Sequence, residues 1–316
     1  MKKLSVIVPA YNEEEVIELF YNKLKEVIDK ITEKYEYEII FVDDGSKDET
    51  LNKLKKLRQS DKNIKIISFS RNFGKEAGIY AGLENSKGDI VVLLDADLQH
   101  DPENIIQMLK YIEEGYDTVT TIRNRKGESK IKSWFSNMFY KIMSGNKQIK
   151  LKKGSQDFRM MTRQVVQAIL DLKEYNRFSK GIFSWVGFKT KYIEVENHKR
   201  AAGKTKWSFT NLFRYAIDGI TSFSVAPLKI ATICGSIVSI LSLIFAIEII
   251  IQTLAMGKDV PGYASTITSV LFMGGIQLVT IGILSEYVGK IYLEVKGRPQ
   301  YIAKEKITGE ENEKNN

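Results

Sequence analysis

Short apolar runs alternate with longer amphipathic stretches through the first part of the chain. LSVIVP (Leu4 to Pro9), EIIFVD (Glu38 to Asp43), IKIISFS (Ile64 to Ser70), DIVVLLD (Asp89 to Asp95) and TVTTI (Thr118 to Ile122) read as strands. Glu13 to Glu33 carries apolar residues at Val16, Leu19, Phe20, Leu24, Val27, Ile28 and Ile31, a helical period. Ser46-Lys-Asp-Glu49 reads as a capping box that opens a second helix. Lys75 to Asn85 reads as a third helix, and Pro102 takes the favoured first position of a fourth. Continuously apolar strands separated by helices predict an α/β fold with a mostly parallel sheet covered on both faces.

Ligands of such sheets bind beyond the carboxyl ends of the strands. The polar residues gather at those ends: Pro9, Tyr11, Asn12 and Glu13 after the first strand, Asp43, Asp44 and Gly45 at the second, Arg71 and Asn72 at the third, Asp95 and Asp97 at the fourth, and Arg123 at the fifth.

The pattern changes after residue 206. From Ile230 to Gly257 the only charged residue is Glu248, and from Val260 to Ser285 there is none. Each run exceeds the roughly 20 apolar residues that span a bilayer. Two buried core helices are the alternative to a membrane hairpin; the short turn between the runs favours the hairpin. Arg214 and Lys229 precede it, Lys290, Lys296 and Arg298 follow it, and the connecting loop has only Lys258 opposite Asp259. The positive-inside rule then places both flanks in the cytosol. Met1-Lys2-Lys3 leads into a strand-like run, so no secretory signal is expected.

Between the two parts, Phe209, Leu212, Phe213, Ala216, Ile217 and Ile220 form one helical stripe. It suits the headgroup layer, with packing on the α/β domain as the alternative. Lys132, Trp134, Phe135, Phe139, Tyr140 and Lys141 fit lipid contact and core packing equally well. The expected division is 1–206 for the α/β domain, 207–226 for an amphipathic juxtamembrane helix, 227–289 for two spans and 290–316 for a cytosolic tail.

The formal charge of +8 fits anionic headgroups or an anionic substrate. Charge alone would admit nucleic acid, but no recognition motif for it is present, so none is expected as a partner. Cys234 is the single cysteine, which excludes an internal disulfide and a cysteine metal cluster. No GxGxxG follows a strand. Gly203-Lys204-Thr205 imitates the end of a phosphate-binding loop, but His198 stands where that loop needs glycine. His100 and His198, the only histidines, are not spaced as a metal pair and read as polar loop residues.

Asp95 and Asp97 are two residues apart, so extended geometry points both to one face. Paired carboxylates there would attract Mg²⁺ or Mn²⁺, which usually also binds phosphate and water. A polar loop or helix cap is the simpler alternative. For Tyr11 the alternative to ligand binding is packing, for Asp43 a turn cap, and for the basic residues a solvated face.

In this order, SVIVPAYNEEE, FVDDGSKDET, SRNFGKEAGIYAG, LLDADLQHDPE, QDFRMM and RAAGKTKW resemble the family 2 glycosyltransferases. Within them the likeness is to the polyprenyl-phosphate group, the bactoprenol glucosyltransferases and dolichol-phosphate mannose synthases. The resemblance covers the chain to about residue 208 and, for the bacterial enzymes, the hairpin. It implies a GT-A fold that binds a nucleotide sugar. Pro9, Tyr11 and Glu13 match positions holding base and ribose, and Asp43 one recognising the base. Asp95 and Asp97 match the metal motif, with Ala96 and Gln99 beside the nucleotide or sugar. Arg123 matches a ligand of the diphosphate or acceptor phosphate, and Asp157 the catalytic aspartate. Arg200 and Lys206 match a basic loop over the phosphates, to which charge adds Lys204. Gln156 and Thr162 depart from the group, which has glycine and an acidic residue there.

The expected reaction is metal-dependent, inverting transfer of a hexose to polyprenyl phosphate at the cytosolic face of a bacterial cytoplasmic membrane. UDP-glucose is the favoured donor, with GDP-mannose and UDP-N-acetylhexosamine as alternatives. Transfer to another lipid or glycan, or a silent nucleotide-sugar-binding scaffold, are the rival functions. A homo-oligomer is expected; Glu248 either faces a neighbouring subunit or lies near the end of the first span, and the sequence leaves both open.

Overall fold

The computed structural model describes residues 1–123, 152, 154–195, 221–222, 224–256 and 262–308. The chain forms two units: residues 1–216 with 298–316, and residues 217–297.

In the first unit the strands are β1 (Lys2–Ala10), β2 (Tyr35–Asp43), β3 (Ile64–Phe69), β4 (Ile90–Leu93), β5 (Thr118–Arg123), β6 (Ser155–Thr162), β7 (Thr190–Val195) and β8 (Ala303–Ile307). They make one sheet in the order β7-β5-β6-β4-β1-β2-β3-β8. β1 pairs in parallel with β2 and β4, β2 with β3, and β5 with β7. β6 runs antiparallel between β4 and β5, and β8 antiparallel on β3. The helices are α1 (Ile17–Asp29), α2 (Thr50–Ser60), α3 (Lys75–Asn85), α4 (Asn104–Glu113), α5 (Arg163–Leu170) and α6 (Ser179–Trp185).

Alternate side chains of each strand point to opposite faces, and both faces are covered. Val6, Val8, Ile39, Phe41 and Val92 pack with Phe20, Leu24 and Ile28 of α1, Leu54 of α2, and Ile105 and Met108 of α4. Ile40, Val42, Ile67 and Phe69 pack with Ala77 and Ala81 of α3. Their apolar character on both sides is what the sequence showed as unbroken hydrophobic runs.

Three local expectations are corrected. The capping box does not form, because α2 begins at Thr50 and has no side-chain cap. Its polar residues bind the neighbouring loop instead. Ser46 Oγ accepts from the Asn12 N–H at 2.9 Å, Thr50 Oγ1 from the Glu13 N–H at 2.9 Å, and Asn12 Oδ1 from the Lys47 N–H at 2.9 Å. The β1–α1 and β2–α2 loops are thereby laced together. Asn12 takes φ 52° to allow it, a conformation in which asparagine is enriched. Pro102 lies in a tight turn ahead of α4, where the Ile105 N–H donates to its carbonyl at 2.9 Å, so the helix starts two residues after it. The segment taken as a tail, 290–316, contains the end of a helix and the strand β8.

Glu38 is a buried charge at the opposite end of the sheet from the polar cluster. Its carboxylate takes Lys65 Nζ at 2.8 Å and Lys3 Nζ at 3.2 Å, and accepts from Ser5 Oγ at 2.6 Å and the Lys87 N–H at 2.7 Å. Burial alone would raise its pKa. The Lys65 contact and the Ser5 and Lys87 hydrogen bonds outweigh this and lower it to about 2. A depressed carboxyl pKa stabilises the fold above the unfolded value, and that contribution is lost as pH falls towards the folded value. Glu38 is therefore expected to contribute about 3 kcal/mol at neutral pH, fading between about pH 4.5 and 2. Thermal unfolding of Glu38→Gln against the parent at pH 7 and pH 3 checks this. The gap should narrow at low pH, and an equal gap at both would refute it.

The second unit holds α7 (Ala226–Met256) and α8 (Tyr263–Val295). At 1.5 Å per residue, the 31 residues of α7 reach about 46 Å, more than a bilayer core of about 30 Å. Side chains such as Ile244, Phe245, Leu271 and Phe272 are exposed on these helices. Both are long and apolar enough to cross a membrane. Tyr287 Oη donates to the Ser224 carbonyl at 2.6 Å, and Lys290 Nζ to Ser222 Oγ at 3.1 Å.

Candidate active site

The carboxyl ends of β4, β1, β2 and β3 lie side by side, because register aligns Ala10 with Asp43 and Asp43 with Ser68. Asp43 closes β2 and is buried. One of its oxygens accepts from the Ser46 N–H at 3.0 Å and the other from Ser68 Oγ at 2.8 Å. Those bonds fix the carboxylate as a turn cap at the floor of the cluster. Asp44 beside it accepts from the Phe73 N–H at 2.6 Å and the Gly74 N–H at 2.9 Å, which anchors the β3–α3 loop. Burial pushes the Asp44 carboxyl above its ordinary pKa against those two bonds. Gly45 has φ 68°, and a Cβ there would lie 2.5 Å from the Arg71 carbonyl carbon. Only glycine admits this approach of the two loops. Pro9, next to the last residue of β1, lies opposite Val42, and Tyr11 and Glu13 follow in the laced loop.

Beyond β4 the burial alternates. Leu94, Ala96, Leu98 and His100 are buried, while Asp95, Asp97 and Gln99 are half-buried. Both carboxylates lie past the end of β4, Asp97 in a turn, so the extended geometry behind their spacing does not continue to Asp97. Asp97 Oδ1 accepts from the Gln99 N–H at 3.1 Å. His100 is not a polar loop residue, since its ring packs on Phe158 at 5.6 Å and burial lowers its pKa. Among the described residues no group of three or more His, Cys, Asp and Glu gathers as a cage. Two hard oxygen donors two residues apart, with the remaining positions left to water and phosphate, fit the chemistry of a magnesium-type ion that is shared with substrate.

β6 brings Asp157 to this group. Its register pairs Leu93 with Arg159, and continuing it two residues sets Asp157 across from Asp95. Lys75, the first residue of α3, joins them, with Nζ 2.8 Å from Asp95 Oδ2 and 2.7 Å from Asp157 Oδ2. Lys180 of α6 lies 3.8 Å from Asp157 Oδ1. Arg159 is on the same face as Asp157, buried, with its guanidinium 3.7 Å from the Phe183 ring centre. Burial lowers the Arg159 pKa to about 10. Burial would raise the Asp157 carboxyl, but Lys75, then Lys180 and Arg159, hold it well below the usual carboxylate range.

Sequence reasoning did not find Lys75, Lys180 or Arg159. The signal for Lys75 was its place in the first turn of a helix, where the macrodipole disfavours a cation. Arg123 is the last residue of β5, and its side chain lies outside the described residues, as do Arg200, Lys204, Lys206 and His198.

The model of Glycosyl transferase family 2 matches residues 5–170, from β1 to the end of α5. The chain belongs to this family. Its two long helices match a second model, the GtrB C-terminal hairpin, over residues 226–291. An uncharacterized glycosyltransferase of Synechocystis sp. is 46% identical over 95% of this chain and 94% of its own length. The SfII prophage-derived bactoprenol glucosyl transferase of Shigella flexneri is 42% identical over 97% of this chain and 99% of its own. Glucosyl-3-phosphoglycerate synthase from Mycobacterium tuberculosis, solved with Mn²⁺, UDP and glucosyl-3-phosphoglycerate, aligns over 70% of this chain and 78% of its own at 17% identity and TM-score 0.45. The family assignment rests on the sequence matches and not on that likeness. As a family 2 glycosyltransferase, the protein has the mostly parallel sheet and polar strand ends that its sequence predicts.

Proposed function

We propose that this glycosyltransferase moves a hexose, glucose from UDP-glucose in the first instance, to polyprenyl phosphate at the cytosolic membrane face, with inversion. The observation that carries the reading is one chain joining a family 2 domain, with Asp95, Asp97 and Asp157 at one end of its sheet, to a GtrB-type hairpin. The Shigella flexneri relative, named a bactoprenol glucosyl transferase, supports the acceptor and the sugar.

The acceptor phosphate has a second pKa of about 6, so it arrives largely dianionic and needs little help from a base. Its oxygen attacks the anomeric carbon opposite the nucleoside diphosphate, and that bond breaks with its electron pair leaving on the diphosphate. Asp95 and Asp97 would hold a Mg²⁺ or Mn²⁺ ion, which when bound offsets the negative charge of the leaving group. The laced loops of Asn12, Ser46 and Gly45 shape the nucleotide end of the site. Arg123, Arg200, Lys204 and Lys206 are assigned to the phosphates on charge and resemblance.

The test is transfer of labelled sugar by the purified full-length protein to undecaprenyl phosphate. UDP-glucose, UDP-N-acetylglucosamine and GDP-mannose are compared, each with Mn²⁺ or with EDTA. A chloroform-soluble product from UDP-glucose that vanishes with EDTA is expected. Product from a different donor would change the sugar, and no product from any donor would overturn the acceptor.

A further inference from the structure

Asp157 is flanked by two lysines for which the reading above has no task. Lys75 Nζ lies 2.7 Å from one carboxylate oxygen and Lys180 Nζ 3.8 Å from the other. The side chains of Lys75 and Lys180 are 43% and 34% exposed, that of Asp157 22%. These are ammonium groups at an open surface of the site, not a sealed ion pair.

Several elements hold them there. The Glu76 carboxylate, next to Lys75, accepts from the Ser179 N–H at 3.0 Å and from the Ser179 hydroxyl. That bond ties α3 to α6 and so fixes Lys180, the residue after Ser179, relative to Lys75. Behind Asp157, buried Arg159 adds a third positive charge on the same face. Lys75, Lys180 and Arg159 together face two carboxylates here, Asp157 and Asp95, while the neighbouring Glu76 carboxylate is turned to Ser179. Lys75 shares its charge with Asp95, whereas Asp157 is the only acidic partner of Lys180 among the described residues. A group that removed a proton from substrate would present a lone pair to it. Here each Asp157 oxygen faces an ammonium group.

We infer that Lys75 and Lys180 form a phosphate subsite that receives the dianionic head of the acceptor, and that Asp157 is a positioning residue that sets the two ammonium groups and takes no proton. This rests on the lipid-phosphate reading for the identity of the anion. The same chemistry would also suit the donor's diphosphate, so both must be measured.

Lys180→Met, Lys180→Arg and the parent, all full-length in detergent, would be titrated calorimetrically with two probes. One is a short-chain polyprenyl phosphate, the other UDP with Mn²⁺. A charge-assisted phosphate contact predicts about 10-fold or more weaker lipid-phosphate binding in Lys180→Met, with UDP binding within about two-fold of the parent. Lys180→Arg should recover most of the loss, and in turnover the acceptor KM should rise more than kcat falls. Lys180 is partly exposed, so thermal unfolding should not change. Weaker UDP binding with unchanged lipid-phosphate binding would overturn the inference, as would no change in either, or failure of the parent to bind the lipid phosphate. If the parent binds it through Lys180 yet transfers no sugar to it, the subsite stands and the proposed acceptor reaction falls.

Discussion

Asp97→Asn is expected to lower kcat/KM for sugar transfer by about a thousandfold, with little change in folding. Removing one group that stabilises developing charge typically costs about 10²- to 10³-fold, and a metal ligand belongs at the upper end. Asparagine keeps the size of the side chain and an oxygen to accept the Gln99 N–H, so the loop after β4 has no reason to rearrange. What is lost is the negative charge two residues beyond Asp95. Steady-state transfer at several Mn²⁺ concentrations would show a higher metal requirement and a low plateau. Activity within about tenfold of the parent at ordinary metal concentration would remove Asp97 from the proposed metal site.

The second large effect concerns stability. A chain ending at Arg298 loses β8, and with it the cover of β3. Tyr301 stacks on Phe69 at 4.8 Å, and its hydroxyl donates to Glu84 at 2.6 Å. Lys55 pairs with Glu305 at 2.6 Å, and Gln300 donates to the Glu174 carbonyl at 2.7 Å. Losing the Tyr301 ring alone is worth about 2–3 kcal/mol. The truncation adds the lost ladder and an open edge of Ile64–Phe69, an invitation to pair with other chains. The expected result is a Tm lower by many degrees with aggregation seen by light scattering, and Tyr301→Ala giving a smaller drop without aggregation. An unchanged Tm in the truncated chain would show that β8 is dispensable.

The elements legible in the sequence were those whose own residues specify them. The apolar runs from Leu4 and Glu38 and the period through Phe20, Leu24 and Ile28 need no distant partner to be read. β6 was seen only as the motif around Asp157, because its place between β4 and β5 depends on pairing with strands far away in the chain. β8, with sequence AKEKI, carries the charges that suit an edge strand and so did not look like one. The capping box failed because the Ser46 hydroxyl accepts from the Asn12 N–H of a distant loop, which no local rule could weigh. In the site, spacing singles out Asp95 and Asp97. The lysines facing Asp157 come from helices that touch it only in three dimensions.

β8 also sets an order of construction. The strand that closes the sheet beyond β3 is encoded after both long helices, so a ribosome makes it last. Until residue 307 has emerged, the sheet carries an open edge along Ile64–Phe69, although both long apolar helices have already been made. A chain whose synthesis stops within the two long helices therefore leaves its catalytic sheet with that edge unpaired.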